Sequence, residues 1–181
     1  MPISKEKKYT SDEFFALTPE SNFERYELIK GEIIMQAMPS VQHQIIGAEL
    51  YSKFKEFIKN KNGKCKPYPS LDVKLDDNNV VIPDFMVICD SSKIDEKRCY
   101  GAPDFIVEIV SSDRYSDFIT KLAIYQAYGV REYWIVDPKY RRTITYYFEG
   151  GAFPNIYTFD SPIPVGIYNG ELEITIDELL K

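Results

Sequence analysis

Apolar residues recur at helical spacing in three parts of the chain. The first part begins with Thr10 and places Glu13 three positions later, a pattern typical of a capped helix start. Over residues 40–60 the apolar positions recur every three or four residues, which predicts a long helix with Ser40 as its N-cap. A third helix is predicted over residues 113–129, where a final glycine favours the helix end.

Shorter apolar runs between these helices predict strands. Residues 25–36 predict two strands joined at Lys30 and Gly31. Because several strands are apolar on both faces and alternate with long helices, the predicted fold is α/β or α+β, with a mixed β-sheet flanked by helices. The length fits one domain, 1–181, with residues 1–22 as an N-terminal helical extension. The other predicted strands lie at 71–88 (as a hairpin), 103–110, 132–137 and 143–149.

Composition is that of a globular protein, with 44% hydrophobic and 28% charged residues. No apolar run approaches the roughly 20 residues that cross a bilayer, and residues 1–15 lack the apolar core of a signal peptide. Cys65, Cys89 and Cys99 are widely spaced, which favours free thiols in a reducing compartment. These features predict a cytoplasmic protein that makes no membrane contact.

The charge of the chain is unevenly distributed. A net charge of -6 argues against general electrostatic attraction to nucleic acid. Six lysines nevertheless lie between Lys53 and Lys66, and a second basic cluster spans residues 139–142. Each cluster taken alone is more typical of a solvated surface than of a binding site.

Acidic residues interrupt two of the most apolar predicted strands. Strand alternation places Glu108 on one face with Ile106 and Val110, although a buried unpaired carboxylate costs several kcal/mol. Asp84 holds a similar position in residues 80–88, so pairing of the two strands would bring two carboxylates together. Two close carboxylates repel unless a cation lies between them, and Mg²⁺ prefers oxygen ligands of this kind.

The motif order resembles a known enzyme family. The segments "YELIKGEI", "VIPDFMVI", "GAPDFIVEIVS" and "DFITKLAIYQAYGVREYWIVDP" together resemble the Uma-two family of restriction endonucleases, within the PD-(D/E)XK nuclease superfamily. The resemblance covers about residues 23–148 and implies a restriction-endonuclease-like mixed sheet. It also implies an endonuclease that hydrolyses phosphodiester bonds in nucleic acid, with DNA as the expected partner. Mg²⁺ or Mn²⁺ would be the cofactor, held by Asp84, Glu108 and the backbone carbonyl of Ile109.

One residue departs from the superfamily pattern. The superfamily places a lysine two positions after the strand acid, where this chain has Val110. The resemblance implies that Lys121 on the following helix takes this catalytic role. The alternative is an ordinary helix ion pair with Asp117, four residues earlier.

Two further residues match the family as candidate site residues. Glu32 follows the predicted turn and matches the family's "GE", which implies an extra acid at the metal. The alternative is a solvated hairpin residue. His43 matches a family histidine near the start of the long helix, whereas a lone histidine is more often structural or on the surface.

The sequence leaves three classes of function open. The first is the metal-dependent endonuclease, and the second is a catalytically weak or silent module that binds nucleic acid or a protein partner. A purely structural domain ranks last because it leaves Glu108 without a partner. An aromatic-rich late segment also predicts a homodimer, with core packing as the alternative: Tyr146, Tyr147, Phe148, Phe153, Tyr157 and Phe159.

Overall fold

The computed structural model describes residues 7–18, 24–110, 116–151 and 153–181. These residues form four α-helices, α1 Ser11–Leu17, α2 Val41–Asn60, α3 Leu122–Ala127 and α4 Ile176–Leu179. The strands in the same ranges are β1 Arg25–Ile29, β2 Glu32–Gln36, β3 Lys66–Pro69, β4 Val73–Lys74, β5 Val80–Val81, β6 Phe85–Ile88, β7 Cys99–Tyr100, β8 Phe105–Ile109, β9 Glu132–Asp137, β10 Arg142–Tyr147, β11 Asn155–Thr158, β12 Ile163–Pro164 and β13 Glu173–Ile174.

Local sequence signals set the ends of the first elements as predicted. Thr10 and Glu13 form the capping box of α1, and the Ser40 side chain accepts a hydrogen bond from the backbone of His43 at the start of α2. The turn between β1 and β2 needs positive φ at both central residues, which are Lys30 (φ 51°) and Gly31 (φ 78°). These predictions are confirmed.

The third predicted helix is present but has two parts. It contains a π-helical turn, Ser116–Lys121, followed by α3, and Gly129 beyond it has the positive φ of a helix stop. The predicted first residues of this helix, 113–115, lie outside the described residues.

Two sheets carry most of the strands. A six-stranded mixed sheet has the order β11-β10-β9-β8-β6-β3, in which only β8 and β9 are parallel among the described strands. A five-stranded sheet has the order β2-β1-β5-β4-β7. The predicted class, a mixed sheet flanked by helices, is confirmed.

The predicted hairpin over residues 71–88 is only partly correct. Its first half is a hairpin of β4 and β5, but the chain then leaves the five-stranded sheet and enters the six-stranded sheet as β6. Pro83, which has no backbone N–H to donate, stands at the crossing between the two sheets. Asp84 is therefore the last residue before β6 and not part of a continuous strand.

Apolar side chains cover both faces of the six-stranded sheet. On one face α2 and the C-terminal segment pack against the sheet through residues such as Phe54, Phe105 and Trp134. On the other face α3 and the five-stranded sheet pack through residues such as Tyr125 and Ile106. No helix in the described part of the chain is long and apolar enough to cross a membrane.

The prediction of three free cysteines was wrong. Cys65 and Cys89 form a disulfide, because the register of β3 with β6 places these two flanking residues opposite each other. Cys99 is free and buried, and burial raises the pKa of its thiol to about 11. The bond therefore ties the edge strand β3 to β6, the strand that Asp84 precedes.

Replacing both bonded cysteines, as Cys65→Ser/Cys89→Ser, should lower the free energy of unfolding by about 2–4 kcal/mol, since the bond closes a loop in the unfolded chain. Urea denaturation measures this loss. A reducing agent should lower the stability of the wild type and leave the double variant unchanged. Equal stability of wild type and variant without reductant would contradict the bond.

Candidate active site

Glu108 is buried in the middle of β8 with two partners from the helix beyond it. The Lys121 ammonium lies 3.0 Å from Glu108 Oε1, and the Tyr125 hydroxyl donates a hydrogen bond of 2.6 Å to the same oxygen. Lys121 and Tyr125 are four residues apart, so one helix face presents both. Burial and the nearby Glu108 charge raise the Tyr125 pKa well above its usual value, which keeps the hydroxyl a donor.

A second buried carboxylate, Glu27 of β1, meets the same ammonium. Its Oε1 lies 3.0 Å from Lys121 Nζ and accepts a hydrogen bond of 2.8 Å from the backbone N–H of Ile82. The Gln36 side chain of β2 donates a hydrogen bond of 2.7 Å to the other oxygen, Oε2. Side-chain exposure is 1% for Glu27 and 4% for both Lys121 and Glu108. Two buried carboxylates thus meet the same ammonium.

Asp84 lies beside this group with its own partners. Its Oδ2 accepts a hydrogen bond of 2.7 Å from the backbone N–H of Ile109 and lies 2.9 Å from His43 Nε2. His43 reaches Asp84 from the first turn of α2, where the Ser40 cap fixes the helix start. The Asp84 and His43 side chains are 16% and 14% exposed, so this pair lies at the border of the buried region.

Strand register relates Asp84 to Glu108. Phe85 of β6 faces Val107 of β8, so continuing the antiparallel register by one pair sets Asp84 opposite Glu108. In the described part of the chain, no three His, Cys, Asp or Glu side chains form a group that could hold a metal. Mg²⁺ binds through one or two carboxylates, with waters and substrate phosphates as its other ligands, so two acids are a sufficient protein contribution.

Glu32 is the one predicted site residue that stands apart. Its carboxylate is 56% exposed and pairs with Lys8 at 2.5 Å. The hairpin directs Glu27, and not Glu32, to the lysine. The side chain of Asp117, the proposed alternative partner of Lys121, lies outside the described residues.

Sequence reasoning missed Glu27, although the signal was present. Glu27 lies in an apolar strand, as Glu108 does, and burial is complete for both. An acid inside an apolar strand marks a position that needs a buried partner.

Acids on neighbouring central strands and a buried lysine on the next helix resemble the restriction-endonuclease-like arrangement that the sequence motifs imply. The chain belongs to the Uma2 family, described as "putative restriction endonuclease", whose model matches residues 11–161. A solved structure described as "a putative nuclease belonging to DUF820" from Anabaena variabilis ATCC 29413 is similar at 26% identity. That match covers 94% of this chain and 96% of the other, with a TM-score of 0.76. No curated protein matches the chain.

Removing the shared ammonium should destabilise the protein strongly. Lys121→Met removes the ammonium that lies 3.0 Å from both buried carboxylates, Glu27 and Glu108, so the free energy of unfolding should fall by about 3–5 kcal/mol. Thermal or urea denaturation at neutral pH measures this loss. Lys53→Met, an exposed control on α2, should change stability by less than about 0.5 kcal/mol.

A second variant separates lost charge from lost packing. Glu27→Gln in the Lys121→Met background removes one unpaired carboxylate and should recover part of the stability. If Lys121→Met alone stays within about 1 kcal/mol of wild type, as a surface pair would, the buried arrangement is wrong.

Proposed function

We propose that the protein is a divalent-metal-dependent endonuclease that hydrolyses phosphodiester bonds in DNA. The observation that carries the proposal is the Lys121 ammonium, which lies 3.0 Å from Glu108 although it comes from a different element. Membership of a restriction-endonuclease family supports phosphodiester hydrolysis as the reaction.

Asp84, Glu108 and the backbone carbonyl of Ile109 are the proposed ligands of Mg²⁺ or Mn²⁺. The hydrogen bond from Ile109 and the contact with His43 both use Asp84 Oδ2, and Oδ1 has no hydrogen-bond partner among the described residues. A carboxylate with one oxygen fixed by the protein and the other available fits a hard cation. When bound, such an ion lowers the pKa of a coordinated water and stabilises charge on the phosphoryl group.

The other residues position these ligands and the substrate. His43 and the Ile109 N–H hold Asp84 Oδ2, which fixes the direction of Oδ1. An ammonium paired with carboxylates is a strong hydrogen-bond donor, so Lys121 is suited to a phosphate oxygen or to orienting the attacking water. Glu27 would hold Lys121 in place, and we do not include Glu32 in the proposed set.

The second candidate is a nucleic-acid-binding module without catalysis. The observation that favours it is the burial of Glu27, Glu108 and Lys121, since buried ion networks also occur in purely structural roles. Dependence of cleavage on the metal and on Asp84 distinguishes the two candidates.

We also propose a homodimer, formed at the exposed edge strand β11. Within the predicted aromatic segment Phe159 is buried in the core, whereas Phe153 is 90% exposed and the neighbouring Ile156 is 65% exposed. An edge strand with exposed apolar side chains favours pairing with a second chain.

Light scattering during gel filtration should give a dimer for the wild type. Ile156→Lys should shift it towards the monomer, because a charge at an apolar strand edge opposes pairing. A wild-type monomer at high protein concentration would contradict the dimer.

The cytoplasmic location remains a proposal, supported by the proposed DNA substrate. The disulfide of Cys65 and Cys89 counts against it, because disulfides are rare in reducing compartments. Trapping free thiols at the moment of cell lysis would show whether Cys65 and Cys89 are bonded or reduced in the cell.

Cleavage of plasmid DNA tests the proposed function. The wild type should cleave with Mg²⁺ or Mn²⁺ and be inactive with EDTA, and Asp84→Asn or Glu108→Gln should reduce cleavage at least about a hundredfold. Glu32→Gln is the matched control and should stay within about twofold of wild type, since its carboxylate is exposed.

The same metal should raise the melting temperature of the wild type but not of Asp84→Asn. Cleavage that persists in EDTA or in Asp84→Asn would contradict the proposal. Binding without any cleavage of DNA or RNA would favour the second candidate.

A further inference from the structure

A groove between α2 and the edge strand β3 carries three lysines. The groove is open to solvent, has a volume of about 340 Å³ and is lined by Lys55, Lys59 and Lys66 together with Tyr51 and Tyr68. The described lining contains no aspartate or glutamate. The disulfide-bonded Cys65 is also part of the lining, so the groove borders a covalently tied strand.

The positive charge in this groove has no ion-pair partner among the described residues. Lys61, on the other side of the helix end, pairs with Glu171 at 2.6 Å. In the described part of the chain no ion pair joins Lys55, Lys59 or Lys66 to an acid. The Lys55 ammonium instead lies 5.2 Å from the centre of the Tyr51 ring. Since the whole chain has a net charge of -6, the charge of this surface is opposite in sign to that of the chain as a whole.

The groove leads away from the candidate active site. Lys66 of β3 pairs with Ile88 of β6, which lies four residues beyond Asp84, about 13 Å along the strand. The other wall, α2, begins with His43 at Asp84. At the helical rise, Lys55 and Lys59 lie about 18 and 24 Å from His43 along the axis.

The spacing of these charges matches a nucleic-acid strand. Phosphates of one strand follow each other every 3.4 Å along a duplex, so the lysines would meet phosphates about four to seven nucleotides from the cleaved bond. A single acidic residue or small anion would not use charges spread along such a line.

We infer that this groove binds the phosphate backbone of the substrate strand on one side of the cleaved bond. The inference rests on the proposed nucleic-acid substrate and adds the path that the substrate takes. Lys55, Lys59 and Lys66 supply the phosphate contacts, which carry affinity without sequence preference. Tyr51 and Tyr68 lie where a sugar or an exposed base would pass.

Salt dependence of binding tests the groove separately from catalysis. Fluorescence anisotropy is measured with a labelled 20-base-pair DNA duplex, and with one of its strands alone, over a series of KCl concentrations in EDTA. The variant is Lys55→Gln/Lys59→Gln/Lys66→Gln. The control is Lys53→Gln/Lys97→Gln/Lys181→Gln, which changes the net charge equally at exposed positions outside the groove.

The groove variant should reduce the slope of log K against log salt by about 2–3 on duplex and by about 2 on a single strand. The loss should be equal for unrelated sequences, and the control should change the slope by less than about 1. Cleavage with Mg²⁺ should show a raised KM for the groove variant, with kcat retained at saturating DNA.

Each outcome separates the groove from the proposed function. If the wild type cleaves DNA but the groove and control variants have the same slope and the same KM, the groove is rejected as a binding site. The proposed nuclease activity then still stands. If the wild type binds DNA and the groove variant shows the predicted slope change, but the wild type cleaves nothing, the groove is supported and the proposed nuclease activity is rejected. Absence of binding by the wild type to either DNA form would overturn the groove.

Discussion

The ammonium of Lys121, shared by Glu27 and Glu108, is the interaction on which the rest of the site depends. It joins the first hairpin to two elements that come much later in the chain, the central strand β8 and the helix after it. Burial of two carboxylates is tolerable only while their cation is present, so the ion group fixes how these elements pack. The same contact places a charged donor next to Glu108. Asp84 lies opposite Glu108 in the strand register.

The change of helix type occurs at the residue that makes this contact. Lys121 ends the π-helical turn, and α3 begins with the next residue. π-Turns are frequent at functional sites because they shift one part of a helix face relative to the other. Tyr125 lies one α-turn later, and its hydroxyl meets the same Glu108 oxygen. The proposed chemistry and the packing therefore use one face of one helix.

The sequence predicted what depends on neighbours in the chain, and missed most of what depends on register between strands. The Thr10 cap, the Ser40 cap and the Lys30–Gly31 turn need only a few adjacent residues, and all three are present. The disulfide and the role of Glu27 depend on which strands pair and where they start. Cys65 and Cys89 are 24 residues apart, and only the pairing of β3 with β6 brings them together.

The same distinction holds for the residues of the candidate site. The family motifs pointed to Lys121 on the helix, and the structure sets its ammonium against Glu108. Glu32 was predicted as a site residue because it matches the family's "GE", whereas Glu27 of the same segment, "YELIKGEI", was not predicted. Pairing in the hairpin, and contacts of β1 with the rest of the fold, bury Glu27 and leave Glu32 beside Lys8. In the sequence, only the position of Glu27 inside an apolar strand distinguishes these two acids.

The central claim is that Asp84 and Glu108 hold one divalent ion beside the Lys121 ammonium. Anomalous X-ray scattering from crystals soaked in Mn²⁺ tests it most directly, because the method locates the ion without reference to activity. The account predicts one strong peak about 2 Å from a carboxylate oxygen of Asp84 and of Glu108, which is lost in Asp84→Asn. A peak that avoids both carboxylates, or none at saturating Mn²⁺, would contradict it.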